Sequence, residues 1–277
     1  MFGKQRASKI RKEINVVTKS GNFIRSTYPS SSDYLDELGH LRDLYRNSPI
    51  PSEEFIDQFA LYATPASLRR FIHFDRLYQK ILDLPGVIMV FGVRWGRDLS
   101  TLHCLHQIYE PMNHTRRMLG FDTFNGFPSV TALDGGTAVT QVGAYGVTDA
   151  YDEHLAQVLA VKMRLGTYAH MDRFELLKGD ATEQLTQYLE KHPETVVSLA
   201  YFDLDLYEPT KACAKMLVPY CASGAVIAFD EFIHPVFPGE TVAARQVFGN
   251  HAQFRRVPVV GPAHSSYLIF DKPPERC

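Results

Sequence analysis

From residue 85 onward the chain alternates short apolar runs with segments of helical periodicity. The runs are Val87–Phe91, Met118–Phe121, Phe174–Leu177, Ser198–Phe202, Ala225–Phe229, Phe254–Val259 and Tyr267–Phe270. The first five are continuous rather than alternating, the pattern of strands buried on both faces of a parallel sheet. Helical spacings lie between them: Leu99, Leu102, Leu105 and Ile108, then His154 to Met163, Glu183 to Leu189, Thr210 to Leu217 and Val242 to Phe248. Strand and helix in alternation predict a doubly wound α/β sheet. About seven residues, Gly261 and Pro262 among them, separate the last two runs. That is too short for a helical crossover, so these two are expected to be antiparallel. The predicted sheet has seven strands, mostly parallel, with an antiparallel last strand.

Upstream the pattern is different. Residues 27–52 are turn-rich and polar, with Pro29, Ser30, Ser31, Ser32, Pro49 and Pro51. Ser52 before Glu53 and Glu54 is a helix-start signal. Thr64-Pro65 is another, since Thr caps and Pro fits the first helical position. Leu68, Phe71, Ile72, Leu77 and Ile81 then keep a rough helical spacing. Residues 1–83 therefore read as a helical N-terminal extension and 84–277 as the main domain. One crossover is abnormally long: about fifty residues separate Phe121 from Phe174. Within it, 125–151 is rich in Gly, Thr, Val and Asp and lacks periodicity. Such loops are lids, binding loops or disordered segments. Its place after the second strand, at the ligand-binding carboxyl edge of the sheet, favours a lid.

Composition narrows the class. At 45% hydrophobic and 22% charged the chain is ordinary for a globular protein, which excludes a collagen-like or wholly disordered one. No apolar stretch approaches a membrane span, and no secretion signal opens the chain. Cys104, Cys213, Cys221 and Cys277 form no C-x-x-C pair or zinc-ribbon spacing. Together these predict a cytoplasmic protein with reduced thiols. A net charge of -2 argues against a nucleic-acid binder. Residues 1–26 hold seven of the 29 basic side chains and one of the 31 acidic ones, so the rest of the chain carries a net -8. This basic arm is either a solvated terminus, the favoured reading, or a contact for an anionic partner.

The candidate chemistry lies at the ends of the apolar runs. Val87–Gly96 reads VIMVFGVRWG, a strand running into a turn with Gly92 and Gly96 four apart, then a helix beginning near Asp98 or Ser100. Glycine admits close backbone approach by a ligand. The spacing is not the G-x-G-x-x-G of nicotinamide binders, which disfavours a dinucleotide pyrophosphate. S-adenosylmethionine carries no phosphate and needs only a tight turn. Phe91, Gly92, Val93, Arg94, Gly96 and Ser100 are therefore candidate cofactor contacts. Gly120–Pro128 reads GFDTFNGFP. Asp122 ends the second run, where an acid can accept hydrogen bonds from ribose hydroxyls; Thr123 and Phe124 follow it. In LKGDA, Asp180 is placed either to bond an adenine amine or to cap the next helix, with Gly179 and Ala181 beside it.

The most specific signal is a pair of strand ends. YFDLDLYEPT (201–210) and AVIAFDEF (225–232) bring Asp203, Asp205, Asp230 and Glu231 to adjacent carboxyl ends. Neither of these two segments contains a Lys or Arg, so the acids are expected to repel one another unless a cation sits among them. Hard oxygen donors suit Mg²⁺, with Mn²⁺ or Ca²⁺ as alternatives.

GVRWG, GFDTFNGFP, DLDLYEPT and IAFDEF, in this order, resemble the macrocin O-methyltransferase family of bacterial S-adenosylmethionine-dependent enzymes over about residues 80–270. The resemblance implies the Rossmann-like class I methyltransferase fold, O-methylation of a small hydroxylated acceptor (a sugar, glycoside or related natural product), and a divalent cation. It implies metal ligation by Asp203, Asp230 and Glu231, with Asp205 as general base. Two positions depart from the family pattern. Val90 stands where a Glu is usual, and Asp230-Glu231 replaces Asp-Asp, which makes His234 a further candidate ligand or base. Weaker candidates are the pair His103 and His106, Trp95 in the cofactor turn, and Arg245. Competing readings are N-methylation, a metal-independent methyltransferase, or a non-catalytic binding protein on the same fold. A homo-oligomer is compatible with the helical extension; no nucleic-acid or membrane partner is expected.

Overall fold

The computed structural model describes residues 32–137, 139–249, 251–258 and 264–271. The basic arm at 1–26 and Cys277 lie outside them.

Four helices open the described chain: α1 (Ser32–Arg46), α2 (Ser52–Phe55), α3 (Phe59–Tyr62) and α4 (Pro65–Tyr78). Thr64 caps α4 as its sequence requires, its hydroxyl accepting from the Ser67 N–H at 3.2 Å. Ser52 begins a single turn with no side-chain cap. The rest is β1 (Val87–Phe91), α5 (Arg97–Tyr109), β2 (Met118–Asp122), α6 (Tyr151–Arg164), β3 (Phe174–Lys178), α7 (Ala181–Lys191), β4 (Val197–Phe202), α8 (Tyr207–Leu217), β5 (Cys221–Phe229), α9 (Gly239–Phe248) and β6 (Ser266–Phe270). Short 3₁₀ turns sit at 56–58, 132–134 and 218–220.

The strands form one sheet in the order β3-β2-β1-β4-β5-β6, with β6 alone antiparallel. Among the described residues there are six strands rather than the expected seven. The run from Phe254 makes only one antiparallel bridge, Arg255 to Tyr267. Pro258 has no N–H to give to a ladder. β6 pairs with β5, and the two last runs are antiparallel as expected but joined by this single bridge rather than by a full strand pair.

Alternate residues of each strand feed two apolar layers. Met89, Phe91, Phe121 and Phe202 pack beneath α7 and α8, with Leu185, Cys213 and Leu217. Ile88, Val90, Leu199 and Tyr201 pack beneath α4 and α5, with Phe74, Leu77, Leu99 and Leu102. The first layer contains a ladder of stacked rings. Phe121, Phe91, Phe202 and Phe229 are register partners across β2, β1, β4 and β5, with successive centroids 4.6, 4.7 and 5.2 Å apart. Offset stacking of this kind adds to simple burial.

The extension docks through α4 on α5 and the sheet. The buried stripe of α4 is Arg70, His73, Phe74, Leu77 and Tyr78. Of the apolar residues that keep the helical spacing, Leu68, Phe71 and Ile72 are at least 36% exposed. The helix is thus turned so that a cation and an imidazole enter the interior.

His103 and His106 lie on the buried face of α5 and hold structure rather than metal. Their Nε2 atoms bond the Lys162 and Asn113 carbonyls at 3.2 and 2.8 Å. Burial pushes His103 down to about 4 and His106 below its ordinary value. The unfolded chain takes up protons near pH 6.5 while the folded one does not. This contribution to stability is full above that pH and is lost as pH falls toward 4. Denaturant titrations of His103→Gln, which keeps a donor for the carbonyl, should therefore show a shallower loss of stability between those pH values than the parent. An equal slope would contradict this reading.

Candidate functional site

Each residue of the aromatic ladder is followed by a residue of the site: Gly92, Asp122, Asp203 and Asp230. The ladder hydrogen bonds continue one step past the strands. Gly92 N–H donates to the Phe121 carbonyl, Asp203 N–H to Phe91 and Asp230 N–H to Phe202, at 2.7–2.9 Å. Four strand ends are thereby brought into a row along the carboxyl edge of the sheet. A cavity of about 470 Å³ opens above them, within the ordinary range for small-molecule sites.

One half of the cavity is built by the turn after β1. Gly92 has φ +91, and a Cβ there would lie 2.0 Å from the Asp203 carbonyl oxygen. Gly96, at φ +77, starts α5 at Arg97. The N–H groups of Val93 and Arg94 both donate to Asp122 Oδ2 at 2.7 Å, and Phe124 N–H donates to Oδ1 at 2.6 Å. A carboxylate offers about four lone-pair positions. Asp122 thus spends three of these on shaping the turn, which leaves one. Asp180 caps α7 through Oδ1, which accepts from Thr182 and Glu183 N–H at 2.8 and 3.2 Å. Both readings of LKGDA are therefore compatible, because Oδ2 is left over.

The structure brings most of the expected residues together. Gly92, Val93, Arg94, Asp122, Thr123, Gly179, Asp180, Ala181, Asp203, Asp205, Asp230, Glu231 and His234 all line this cavity. Phe91, Gly96, Ser100 and Phe124 do not. Phe91 and Phe124 are core residues, Gly96 packs against Leu155, and Ser100 bonds back to Gly96 within the helix. Trp95 lines the cavity with its ring edge-on to Tyr151, at 4.6 Å. Arg245 is exposed on α9 and is not a lining residue. The long 125–151 segment supplies Gly126, Phe127, Pro128, Val139 and Tyr145 to the wall. It is anchored by Asp134, which accepts from Thr131 N–H at 2.6 Å and from Tyr207 N–H at 2.5 Å.

The acid-rich half departs from the sequence expectation in one decisive way. A basic residue does stand among the acids, delivered from α4. The buried Arg70 guanidinium pairs with Asp98 Oδ2 at 2.6 Å, with Asp203 Oδ2 at 3.0 Å and with Asp230 Oδ1. The Tyr201 hydroxyl also donates to Asp230 Oδ1, at 2.6 Å. Burial opposes ionisation of Asp98, but Arg70 and Arg97 outweigh it and hold that carboxyl well below the usual range. Farther from Arg70 the negative charge is in excess. Burial and Asp230 push Asp205 up to about 7, and push Glu231, with further repulsion from Asp205 and Glu240, up to about 9. Glu231 Oε2 is buried without a hydrogen bond, 3.5 Å from His234 Nε2. His234 Nδ1 accepts from the Val236 and Phe237 N–H groups.

Glu240 is a residue of the site's framework that the motifs did not flag. Fully buried on α9, it accepts from Leu204 and Asp205 N–H at 2.9 and 3.1 Å and from Glu231 N–H at 3.0 Å. It ties the two acidic loops together, and it holds Asp205 at φ +61. Oxygen donors, a buried carboxylate oxygen with no partner and uncompensated charge fit a divalent cation in chemistry. No three metal-donor side chains are arranged to hold one among the described residues.

The sheet order, reversed last strand and edge pocket define a methyltransferase architecture. The chain is similar to the crystal structure of CalS11, calicheamicin methyltransferase, at 39% identity and TM-score 0.85, over 92% of this chain and 99% of that one. A structure of apo CalS11, described as a TDP-rhamnose 3'-O-methyltransferase, matches at 38% identity and TM-score 0.77, over 88% and 96% of the two chains. The O-methyltransferase NovP shares the fold at 16% identity and TM-score 0.51, over 74% and 81%. No protein-family model and no curated relative matches the chain. The protein belongs to the O-methyltransferase family that includes CalS11, and it is a methyltransferase. These likenesses support that wider family and do not single out the macrocin branch. Among the described residues no helix is long and apolar enough to cross a membrane.

Gly92→Ala tests how the two halves are joined. The methyl group has no space against Asp203, and the residue must keep a left-handed φ. Loss of about 2–4 kcal/mol of stability, with loss of ligand binding in the cavity, is expected by denaturant titration and calorimetry. A fully stable variant would show that the turn and β4 are not in close contact.

Proposed function

We propose that the protein is an S-adenosylmethionine-dependent O-methyltransferase acting on a sugar hydroxyl, in a nucleotide-linked deoxysugar or a natural-product glycoside. The observation that carries this reading is the division of one cavity into a glycine-turn half and a carboxylate half. The first half suits the cofactor: a tight turn for the methionine portion, a lone pair on Asp122 for a ribose hydroxyl and Asp180 Oδ2 for the adenine amine. The motifs that resemble those of macrocin O-methyltransferases, and the description of CalS11 as a TDP-rhamnose 3'-O-methyltransferase, support a sugar acceptor.

When bound, the cofactor supplies an electrophilic methyl group on a sulfonium. The chain then has to align an acceptor oxygen with that group and remove its proton. Asp205, pushed up to about 7, is suited to accept the proton near neutral pH. Asp203 and Asp230 each keep one oxygen free of Arg70, which would orient the hydroxyl directly or through the cation. Phe127, Val139, Tyr145 and Phe237 wall the cavity against water. The proposed cation would be held by Asp203, Asp230 and Glu231 and would supply Lewis-acid polarisation of the acceptor oxygen. His234 positions Glu231. The 125–151 segment acts as the lid, and the acceptor enters beneath it.

The test is a mass-spectrometric assay with S-adenosylmethionine and a panel of nucleoside-diphosphate deoxysugars and glycosides, with Mg²⁺ and with EDTA. A methylated sugar is expected from the parent. Asp205→Asn should lower kcat by about 100-fold or more while calorimetric affinity for S-adenosylhomocysteine is retained. Absence of cofactor binding overturns the reading, and so does binding without turnover of any acceptor. Full activity in EDTA removes the cation from it and leaves transfer intact.

A further inference from the structure

We propose that Arg70 is a positioning residue of the transfer site, and that the N-terminal extension is thereby part of the working enzyme. The inference rests on the methyl-transfer reading. It begins from where the side chain comes from. Arg70 lies on α4, 133 residues from Asp203 and 160 from Asp230, and no motif of the sheet domain includes it.

Its donors are shared out among three loops. Nε and Nη2 form a fork on Asp98, at 3.2 and 2.6 Å, at the start of α5 after β1. Nη2 also reaches Asp203 Oδ2 after β4, and Nη1 reaches Asp230 Oδ1 after β5. The guanidinium carbon lies 5.1 Å from the Phe74 ring centroid and 5.4 Å from that of Tyr201, so aromatic faces complete its surroundings. A planar group with fixed donors can hold three carboxylates in one geometry. An ammonium, a point charge on a flexible stem, cannot reproduce the fork.

The consequence for the site is a division of labour within each carboxylate. Asp203 gives Oδ2 to Arg70 and keeps Oδ1. Asp230 gives Oδ1 to Arg70 and Tyr201 and keeps Oδ2. The retained oxygens belong to residues that line the cavity, and their directions are fixed by bonds on the far side. Without Arg70 the two acids lose their shared cation, and mutual repulsion drives them apart. Arg70 reaches the glycine-turn half at Asp98, two residues past Gly96, whereas Asp122 is held by backbone amides and Asp180 by the α7 terminus. Cofactor binding and acceptor alignment should therefore separate in a variant.

The experiment uses full-length Arg70→Ala and Arg70→Lys with the acceptor found in the assay above. For Arg70→Ala, kcat is expected to fall by about 100-fold, with affinity for S-adenosylhomocysteine within about threefold of the parent. Guanidinium at about 30 mM should restore at least about tenfold of that activity, and should restore none in Asp205→Asn. Arg70→Lys keeps the charge and the fold. It should remain about tenfold below the parent with cofactor affinity unchanged, so it decides the matter if Arg70→Ala does not fold. Parental kcat in either variant overturns the proposal. Equal losses of cofactor affinity and kcat, with no rescue, overturn it too, since they mark general disruption. These outcomes are read in variants of an active parent. A parent that methylates nothing removes the functional reading itself, and this proposal with it.

Discussion

The site depends on register. Phe121, Phe91, Phe202 and Phe229 stack across four neighbouring strands, and each is followed at once by a residue of the pocket wall. A one-residue slip in any strand would turn its ring to the opposite face of the sheet and withdraw its acid or glycine from the row. Burying the rings beneath α7 and α8 and lining up Gly92, Asp122, Asp203 and Asp230 are therefore one structural event. The close approach of Gly92 to the Asp203 carbonyl belongs to the same constraint. It joins the glycine-turn half of the cavity to the acidic half at the distance the two strands impose.

Charge is the second constraint, and it is met unevenly. Arg70 pairs with Asp98, Asp203 and Asp230, yet burial and mutual repulsion still push Asp203, Asp205, Glu231 and Glu240 upward. A chain selected for stability alone would not keep so many carboxyls in one wall. On the proposed function the excess lies on the face of the cavity where the acceptor hydroxyl would lose its proton. Backbone amides, rather than lysines, hold the two acidic loops in place through Glu240 and Asp134. That leaves the pocket acidic while its backbone stays ordered.

Much of this was legible in the chain. Continuous runs ending in Phe-Gly or Phe-Asp gave the parallel strands and the row of site residues. Thr64-Pro65 marked the start of α4, and LKGDA marked both a cap and a candidate contact. Three things were not legible, for physical reasons. Arg70 acts across more than a hundred residues, and an arginine on an amphipathic helix reads as solvated until the helix is docked. The α4 face was not legible because Leu68, Phe71 and Ile72 are apolar yet face outward, while Arg70 and His73 are polar yet buried. The seventh strand was expected from the apolar character of the run beginning at Phe254, which among the described residues pairs only through one antiparallel bridge, Arg255 to Tyr267.

The most direct test of the account is a crystal structure of the protein with S-adenosylhomocysteine. The account predicts its amino-acid portion in the turn at Gly92–Arg94, its ribose beside Asp122, its adenine at Asp180, and its sulfur facing Asp203 and Asp205. A product bound outside this cavity, or bound with its sulfur turned away from those carboxylates, would contradict it.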